Sequence, residues 1–275
     1  MLNSLIKSEN RRYNEISLIL LKEVRLLYFG VILLTKKVEI YGHRGFSGCY
    51  PENTLISFRE AEAVGVDGIE LDVQMTRDGE VVVIHDETLE RTTNGIGFVK
   101  DMTYRELCLL DAGSWFDPKF SGEKIPALSE VLQWIKNLKR KLFVNIELKT
   151  YKIEYPNIEE KVLAIIDEQG LKDQVIISSF NLKSLEKVRQ LDNNINTALL
   201  FIGVPTIVLE EARRLKVNGI HCEAVFAVSE EGRTAREYGY PIRVYTINDR
   251  GYFKTLKDAE VCTIMTDFPN EFIVN

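Results

Sequence analysis

From position 38 to the C-terminus, short runs of β-branched and other apolar residues alternate with stretches whose apolar positions recur every three or four residues. The runs at 38–41, 69–73, 142–148, 175–178, 197–201, 219–222, 242–246 and 262–266 predict strands. The amphipathic stretches predict a helix through Leu55, Phe58, Ala61 and Val64, and further helices at 128–139, 158–169, 182–191, 206–215 and 229–238, with a short one near 250–257. Asn53 or Thr54 is the N-cap of the first. Thr103 and Glu106 form a capping box that opens a short helix over 103–110. Strands that alternate with helices lie side by side in a parallel sheet. Eight of them over about 240 residues fit an α/β TIM (β/α)8 barrel. An open doubly wound sheet is the alternative, but no GxGxxG follows a strand to support it. No repeat, low-complexity tract or linker divides residues 38–275, so one barrel domain is expected there.

The stretch 69–86, IELDVQMTRDGEVVVIHD, departs from this alternation. Glu70 and Asp72 sit two apart, so on a strand both point to one face. Thr76-Arg77-Asp78-Gly79 is a turn, with Asp-Gly a strong hairpin signal. Val81-Val82-Val83-Ile84 follows and ends in His85-Asp86. The connection is far shorter than the roughly a dozen residues of a parallel crossover. An antiparallel hairpin is therefore expected, with the barrel distorted near it and 81–84 either an extra strand or a replacement for one of the eight. A turn pair of Arg77-Asp78 sets His85 opposite Glu70; a turn pair of Asp78-Gly79 sets it opposite Asp72. Either register brings an imidazole beside two carboxylates.

In a TIM barrel the chemistry sits at the C-terminal ends of the strands. Those ends carry His43-Arg44, Glu70 and Asp72, Glu147 and Lys149, Ser178-Ser179, His221 and Glu223, Thr246 and Asn248, and Asp267. Asn145, Glu147 and Lys149 alternate along one strand and so point inward together, where ionisable groups need partners or a metal. Glu70, Asp72 and Glu147, three carboxylates with no cysteine beside them, are hard oxygen ligands that favour Mg²⁺ or Ca²⁺ over zinc. His43 and His85 are left for proton transfer near neutral pH. Arg44 and Lys149 bring positive charge to an anion. The set describes phosphoryl chemistry better than acyl transfer, and the Ser178-Ser179 pair has no base assigned to it. Three features read as structural: His221 as a packed core histidine outside the site, Glu52-Asn53 as a helix start, and Trp115-Phe116 as core or as an apolar wall over the substrate.

Composition narrows the picture further. Apolar content of 45% with 28% charged residues belongs to an ordinary soluble globular chain. The net charge of -6 argues against a nucleic-acid partner and leaves small phosphorylated substrates open. Cys49, Cys108, Cys222 and Cys262 are far apart, which argues against a disulfide framework or zinc site and for reduced thiols in the cytoplasm. In the extension 1–37, Lys22, Glu23 and Arg25 interrupt an apolar stretch, and the uncharged run 26–35 falls well short of the roughly 20 residues of a spanning helix. It ends in Leu34-Thr35-Lys36-Lys37 without a small-residue cleavage site. The extension reads as an amphipathic helix on the barrel or on a membrane surface, or as a start set too far upstream.

The segments His43-Arg44-Gly45, Pro51-Glu52-Asn53-Thr54, Glu70-Leu71-Asp72-Val73, His85-Asp86, Ala112-Gly113-Ser114-Trp115-Phe116, Ile125-Pro126, Glu147-Leu148-Lys149, Ser178-Ser179-Phe180 and Thr266-Asp267-Phe268-Pro269, in that order, resemble the glycerophosphodiester phosphodiesterase family. The resemblance implies a TIM barrel that hydrolyses glycerophosphodiesters to sn-glycerol 3-phosphate and an alcohol, with a divalent cation, Ca²⁺ or Mg²⁺. It implies His43 and His85 as the acid–base pair, with His43 as base and His85 as acid. It implies Glu70, Asp72 and Glu147 as metal ligands, and Arg44, Lys149 and His85 against the substrate. The nucleophile stays open between water and the substrate's own 2-hydroxyl acting through a cyclic phosphate. The alternatives are a lysophospholipase D-like hydrolase at a membrane surface and a non-catalytic binding barrel. Two positions depart from the family's pattern: Ala127 stands where Thr usually follows Ile-Pro, which bears on a helix cap, and Tyr245 stands where many members have Trp, which bears on the substrate wall.

Overall fold

The computed structural model describes residues 37–273, and both readings of the N-terminal extension fall outside them. Among the described residues nine strands appear in chain order: β1 (Glu39–Gly42), β2 (Gly68–Met75), β3 (Val81–Val83), β4 (Phe143–Leu148), β5 (Val175–Ser179), β6 (Asn196–Leu200), β7 (Gly219–Cys222), β8 (Ile242–Val244) and β9 (Thr263–Thr266). All but β3 pair in parallel, and β1 pairs with both β9 and β2, so eight strands close into a barrel. Following paired residues once round from Tyr41 through β9, β8, β7, β6, β5, β4 and β2 leads back to β1 at the level of position 49, a shear of eight. That is the stagger of a TIM barrel.

The alternation of side chains decides what fills the barrel and what packs outside it. Ile69, Leu71 and Val73 of β2 and Val144, Ile146 and Leu148 of β4 point outward into one buried apolar cluster. Ile220 and Cys222 of β7, Ile242 and Val244 of β8 and Ile264 of β9 point outward into a second. Each buried aliphatic side chain there contributes about 2 kcal/mol. The opposite faces of β2 and β4 therefore turn Glu70, Asp72, Gln74, Asn145 and Glu147 inward, all buried. The outward clusters hold these strands in place while their inner faces carry polar groups.

The hairpin is antiparallel, as its length requires, with Val73 opposite Val83 and Met75 opposite Val81. It is an added ninth strand rather than a replacement. Pairing of β2 with β4 ends at Val73–Leu148, and β3 takes up the overhanging end of β2. Its register lies between the two expected ones. Thr76 and Glu80 face each other across a three-residue loop, with Thr76 N donating to Glu80 O at 2.9 Å, and Gly79 takes φ +85°. Gly79 supplies the positive φ that closes such loops with a bulge. That register sets Ile84 beside Asp72, with Ile84 N donating to Asp72 O at 3.0 Å, and carries His85 past the end of the ladder. Gln74 Nε2 then donates to the His85 carbonyl at 2.8 Å and pins the histidine backbone at the barrel mouth.

The first helix, α1 (Leu55–Ala63), is capped by Thr54, which accepts from Ser57 N. A short helix α2 (Tyr104–Leu107) carries the expected capping box of Thr103 and Glu106. The helix α3 (Leu128–Lys136) returns the chain to β4; Ala127 offers no cap oxygen, but Glu130 still accepts from Ala127 N at 3.0 Å. Between β3 and α3 the excursion is tied to the loop after β1 by aromatic contacts from Phe46 through Tyr50, Phe120 and Phe116 to Trp115, with ring centroids 5.5–5.8 Å apart. Among the described residues no helix is long and apolar enough to cross a membrane.

Candidate active site

Three carboxylates meet at the ends of neighbouring strands. Glu70, Asp72 and Glu147 are buried, and one oxygen of each lies within 4.8 Å of the others. The pairing of Asp72 with Glu147 across β2 and β4 brings them side by side. Without a counter-charge such a cluster resists ionisation. Burial and then the charges of Asp72 and Glu147 push the Glu70 carboxyl well above the usual carboxylate range. Burial and Asp72 push Glu147 up to about 7. Asp72 goes the other way: burial raises it, but Arg44, Lys149 and His85, with a hydrogen bond from Asn53, hold it below its ordinary value. An all-oxygen set carrying more negative charge than its neighbours offset fits a hard divalent cation.

Two cations flank the acids. Arg44 Nε stands 3.4 Å from Asp72 Oδ2, and Arg44 N donates to Glu70 Oε2 at 2.9 Å. Arg44 has φ +53° and Asn53 φ +57°, left-handed values that ordinary side chains resist. Asn53 N bonds Arg44 O at 3.1 Å, so the two strained residues lock each other. Lys149 Nζ donates to Glu147 Oε1 at 2.8 Å and lies 3.7 Å from Asp72 Oδ1.

Each histidine is held at Nδ1 by an aspartate, which leaves Nε2 to face the acids. His43 Nδ1 donates to Asp267 Oδ1 at 2.6 Å, and its Nε2 is 3.9 Å from Glu70 Oε2. His85 Nδ1 donates to Asp86 Oδ1 at 2.6 Å, and its Nε2 accepts from Lys149 Nζ at 3.1 Å. A lysine ammonium only donates, so His85 rests here as the neutral Nδ1–H tautomer. Burial, with the charges of Arg44 and Lys149, lowers its pKa against the pull of Asp72. Both aspartates stay ionised. Burial raises Asp267, but the bond from His43 and its charge bring it down to about 2. Burial raises Asp86, but bonds from Arg91 and His85 bring it to about 2.

All seven residues singled out by sequence converge at this mouth. Their supports do not announce themselves in the sequence. Glu52, read as part of a helix start, accepts from Arg44 Nη1 at 2.7 Å and from both Arg91 terminal nitrogens at 2.7 Å. Arg91 Nε in turn donates to Asp86 Oδ2 at 2.6 Å, so one chain of charges runs from Arg44 to His85. Asn53 donates to Asp72 Oδ2 at 2.9 Å. Asn248 donates to Asp267 Oδ2 at 2.6 Å, and Ser47 Oγ to its Oδ1 at 2.9 Å. A helix start needs only the cap at Thr54, and that surplus of polar residues before it was the available signal for Glu52 and Asn53. His221 is fully buried inside the barrel and, as read, lies outside the cluster. Trp115 is 36% exposed, its indole N–H satisfied by Ala112 O at 2.9 Å, so it is not core.

Asp267→Asn is expected to lower kcat about 10-fold or more, since an amide holds the His43 tautomer less firmly than a carboxylate. Steady-state rates across pH 5–9 check this; an unchanged profile would remove Asp267 from the positioning of His43.

Together the closed barrel, the acidic cluster and the paired imidazoles define a TIM-barrel hydrolase whose three carboxylates could hold a metal ion. Residues 43–271 match the glycerophosphoryl diester phosphodiesterase family. The chain belongs to that family and is an enzyme of its kind. It is 40% identical to a glycerophosphodiester phosphodiesterase of Caldanaerobacter subterraneus over 86% of this chain and 97% of that protein. It is 36% identical to one of Bacillus subtilis over 88% of each. A solved phosphodiesterase of Oleispira antarctica, in complex with the product sn-glycerol-3-phosphate, has a TM-score of 0.76 at 31% identity, covering 85% of this chain and 94% of its own. A glycerophosphodiester phosphodiesterase of Agrobacterium tumefaciens has a TM-score of 0.74 at 29% identity, covering 86% and 99%.

Proposed function

We propose that the protein hydrolyses glycerophosphodiesters to sn-glycerol 3-phosphate and an alcohol, with Glu70, Asp72 and Glu147 holding Ca²⁺ or Mg²⁺ and His43 and His85 moving the protons. The observation that carries this reading is the pair of His–Asp units, His43–Asp267 and His85–Asp86, set on either side of one acidic cluster. Phosphodiester cleavage needs one proton taken from the nucleophile and one given to the leaving oxygen. Two separately oriented imidazoles supply both. A divalent cation bound there would neutralise charge building on the phosphate oxygens.

Arg44 and Lys149 bind the remaining phosphate oxygens. Glu52 aims the Arg44 guanidinium, and Arg91 couples that aim to Asp86 behind His85. His43 takes the proton of the nucleophile on Nε2. His85 delivers one from Nε2 to the departing alcohol. In the resting arrangement that nitrogen accepts from Lys149. A phosphate anion that draws the ammonium to itself frees Nε2 and offsets the positive charge that keeps the ring neutral, so the ring becomes easier to protonate when substrate is bound.

The test is a phosphodiesterase assay of glycerophosphocholine, glycerophosphoethanolamine and glycerophosphoglycerol with Ca²⁺, Mg²⁺ or chelator. Release of sn-glycerol 3-phosphate that chelator abolishes is expected. Failure with all three substrates and both ions would sink the reading.

A further inference from the structure

The acidic cluster uses only one side of the barrel mouth, and the barrel's stagger shows what stands on the other side. In a barrel with a shear of eight, residues of alternate strands lie in common layers. Continued one residue past the strand ends, the pairing registers put Phe180, Glu223 and Asp267, which follow β5, β7 and β9, level with Asp72 of β2 in the layer at the mouth. β7 lies four strands from β2 in either direction round the ring, so Glu223 stands across the mouth from Asp72. The layer beneath holds His43, Glu147, Leu200 and Tyr245, in which Tyr245 stands across from Glu147. The Tyr245 hydroxyl, raised in pKa by burial and then by the charges of Glu147 and Glu223, donates to the Phe201 carbonyl at 2.7 Å. Tyr245 N donates to the Cys222 carbonyl at 3.0 Å, so Tyr245 and Glu223 are neighbours at adjacent strand ends.

The two halves of the mouth differ in charge. Arg44 and Lys149 both stand with the acidic cluster on the β1, β2 and β4 side. The loops over β6 and β7, residues 201–207 and 223–229, contain no Lys or Arg, and Glu223 is their sole charged residue. Apart from Thr206 and Ser229 their other side chains are apolar or glycine, with Ile202 and Val225 exposed. Phe180 packs edge-on to Tyr245 with centroids 6.3 Å apart. One oxygen of Glu223 accepts from Gly203 N at 2.8 Å, which fixes the carboxylate on the loop after β6. The protonation chemistry at His43 and His85 leaves Glu223 unused.

We propose that Glu223, with the Tyr245 and Phe180 rings, binds the positively charged amino-alcohol arm of a zwitterionic glycerophosphodiester while its phosphate sits over Arg44, Lys149 and the acidic cluster. A carboxylate set among aromatic rings is the chemistry that recognises an ammonium group. Arg44 and Lys149 can take the phosphate on one side of the mouth and Glu223 the cationic arm on the other, which matches a substrate with separated negative and positive charge. This rests on the phosphodiesterase reading above and adds the class of headgroup to it.

The experiment compares wild type and Glu223→Gln on glycerophosphocholine, glycerophosphoethanolamine and glycerophosphoglycerol. Gln keeps an oxygen for the Gly203 N–H, so the loop stays tied, and an unchanged melting temperature verifies this. Loss of the charge is expected to lower kcat/KM about 10-fold for the two cationic headgroups, mostly through KM, and by less than about threefold for the uncharged glycerol headgroup. An equal loss on all three substrates, or no loss on any, would overturn the proposal while leaving the phosphodiesterase reading intact. If wild type turns over none of the three, both fall together.

Discussion

Glu147→Gln is expected to reduce turnover at saturating Ca²⁺ or Mg²⁺ by at least about 10³-fold, and yet to stabilise the protein at pH 8 in the presence of chelator. Both effects come from one cause. Glu147 is buried against Asp72, and its carboxyl is pushed up from 4.5 to about 7. The folded state holds this proton more tightly than the unfolded chain does. The stability tied to it is therefore complete below about 4.5 and is lost as pH rises through about 7. Gln resembles the protonated acid at every pH and keeps an acceptor for Lys149. In chelator, wild type and variant should melt alike at pH 4, and the variant should be more stable at pH 8 by on the order of 3 kcal/mol. Added divalent cation should reverse that ranking, because it binds the folded wild type and adds stability in proportion to the logarithm of its concentration. Thermal melts at the two pH values, with and without metal, measure all of this. A variant less stable than wild type in chelator at pH 8 would mean the cluster is not electrostatically frustrated.

His43→Ala and His85→Ala should each cost about 10²–10⁴-fold in kcat, the usual contribution of a positioned acid or base. Retention of more than about a tenth of the wild-type rate by either variant would remove that ring from proton transfer. The two roles separate on a substrate whose leaving group is p-nitrophenol, which departs as the anion and needs no proton. With His85 as acid, His85→Ala should regain most of its loss on that substrate, and His43→Ala should regain none. The opposite pattern would exchange the roles. Because the two rings act in one reaction, the double variant should lose far less than the product of the single losses.

Much of the site was legible before any coordinates. Carboxylates two apart on an apolar strand, with a third on a strand of inward-facing Asn, Glu and Lys, have few structural uses, and Glu70, Asp72 and Glu147 do meet. The hairpin was legible in its direction because its connection is too short for anything but an antiparallel return. Its register was not. The turn sequence allows two turn pairs, and the chain uses neither but a three-residue loop with Gly79 in the left-handed region. His85 still reaches the acids, through Gln74 and Lys149 rather than through a cross-strand pair. The role of Glu52 beyond the helix start was not legible, because its partners Arg44 and Arg91 become neighbours only when the excursion after β3 folds over the loop after β1.

By itself the sequence determined the alternation of strands and helices, the faces of those strands, and the kinds of ligand and proton carrier at their ends. These are local properties, set by a side-chain period of two and by turn chemistry within a few residues. Tertiary structure decided which ends face one another. The pairing of His43 with Asp267, 224 residues away, exists because β1 closes against β9. The placement of Glu223 across from Asp72 exists because the ring has eight strands and a shear of eight. Closure is a property of the whole sheet, and no short segment of the chain encodes it.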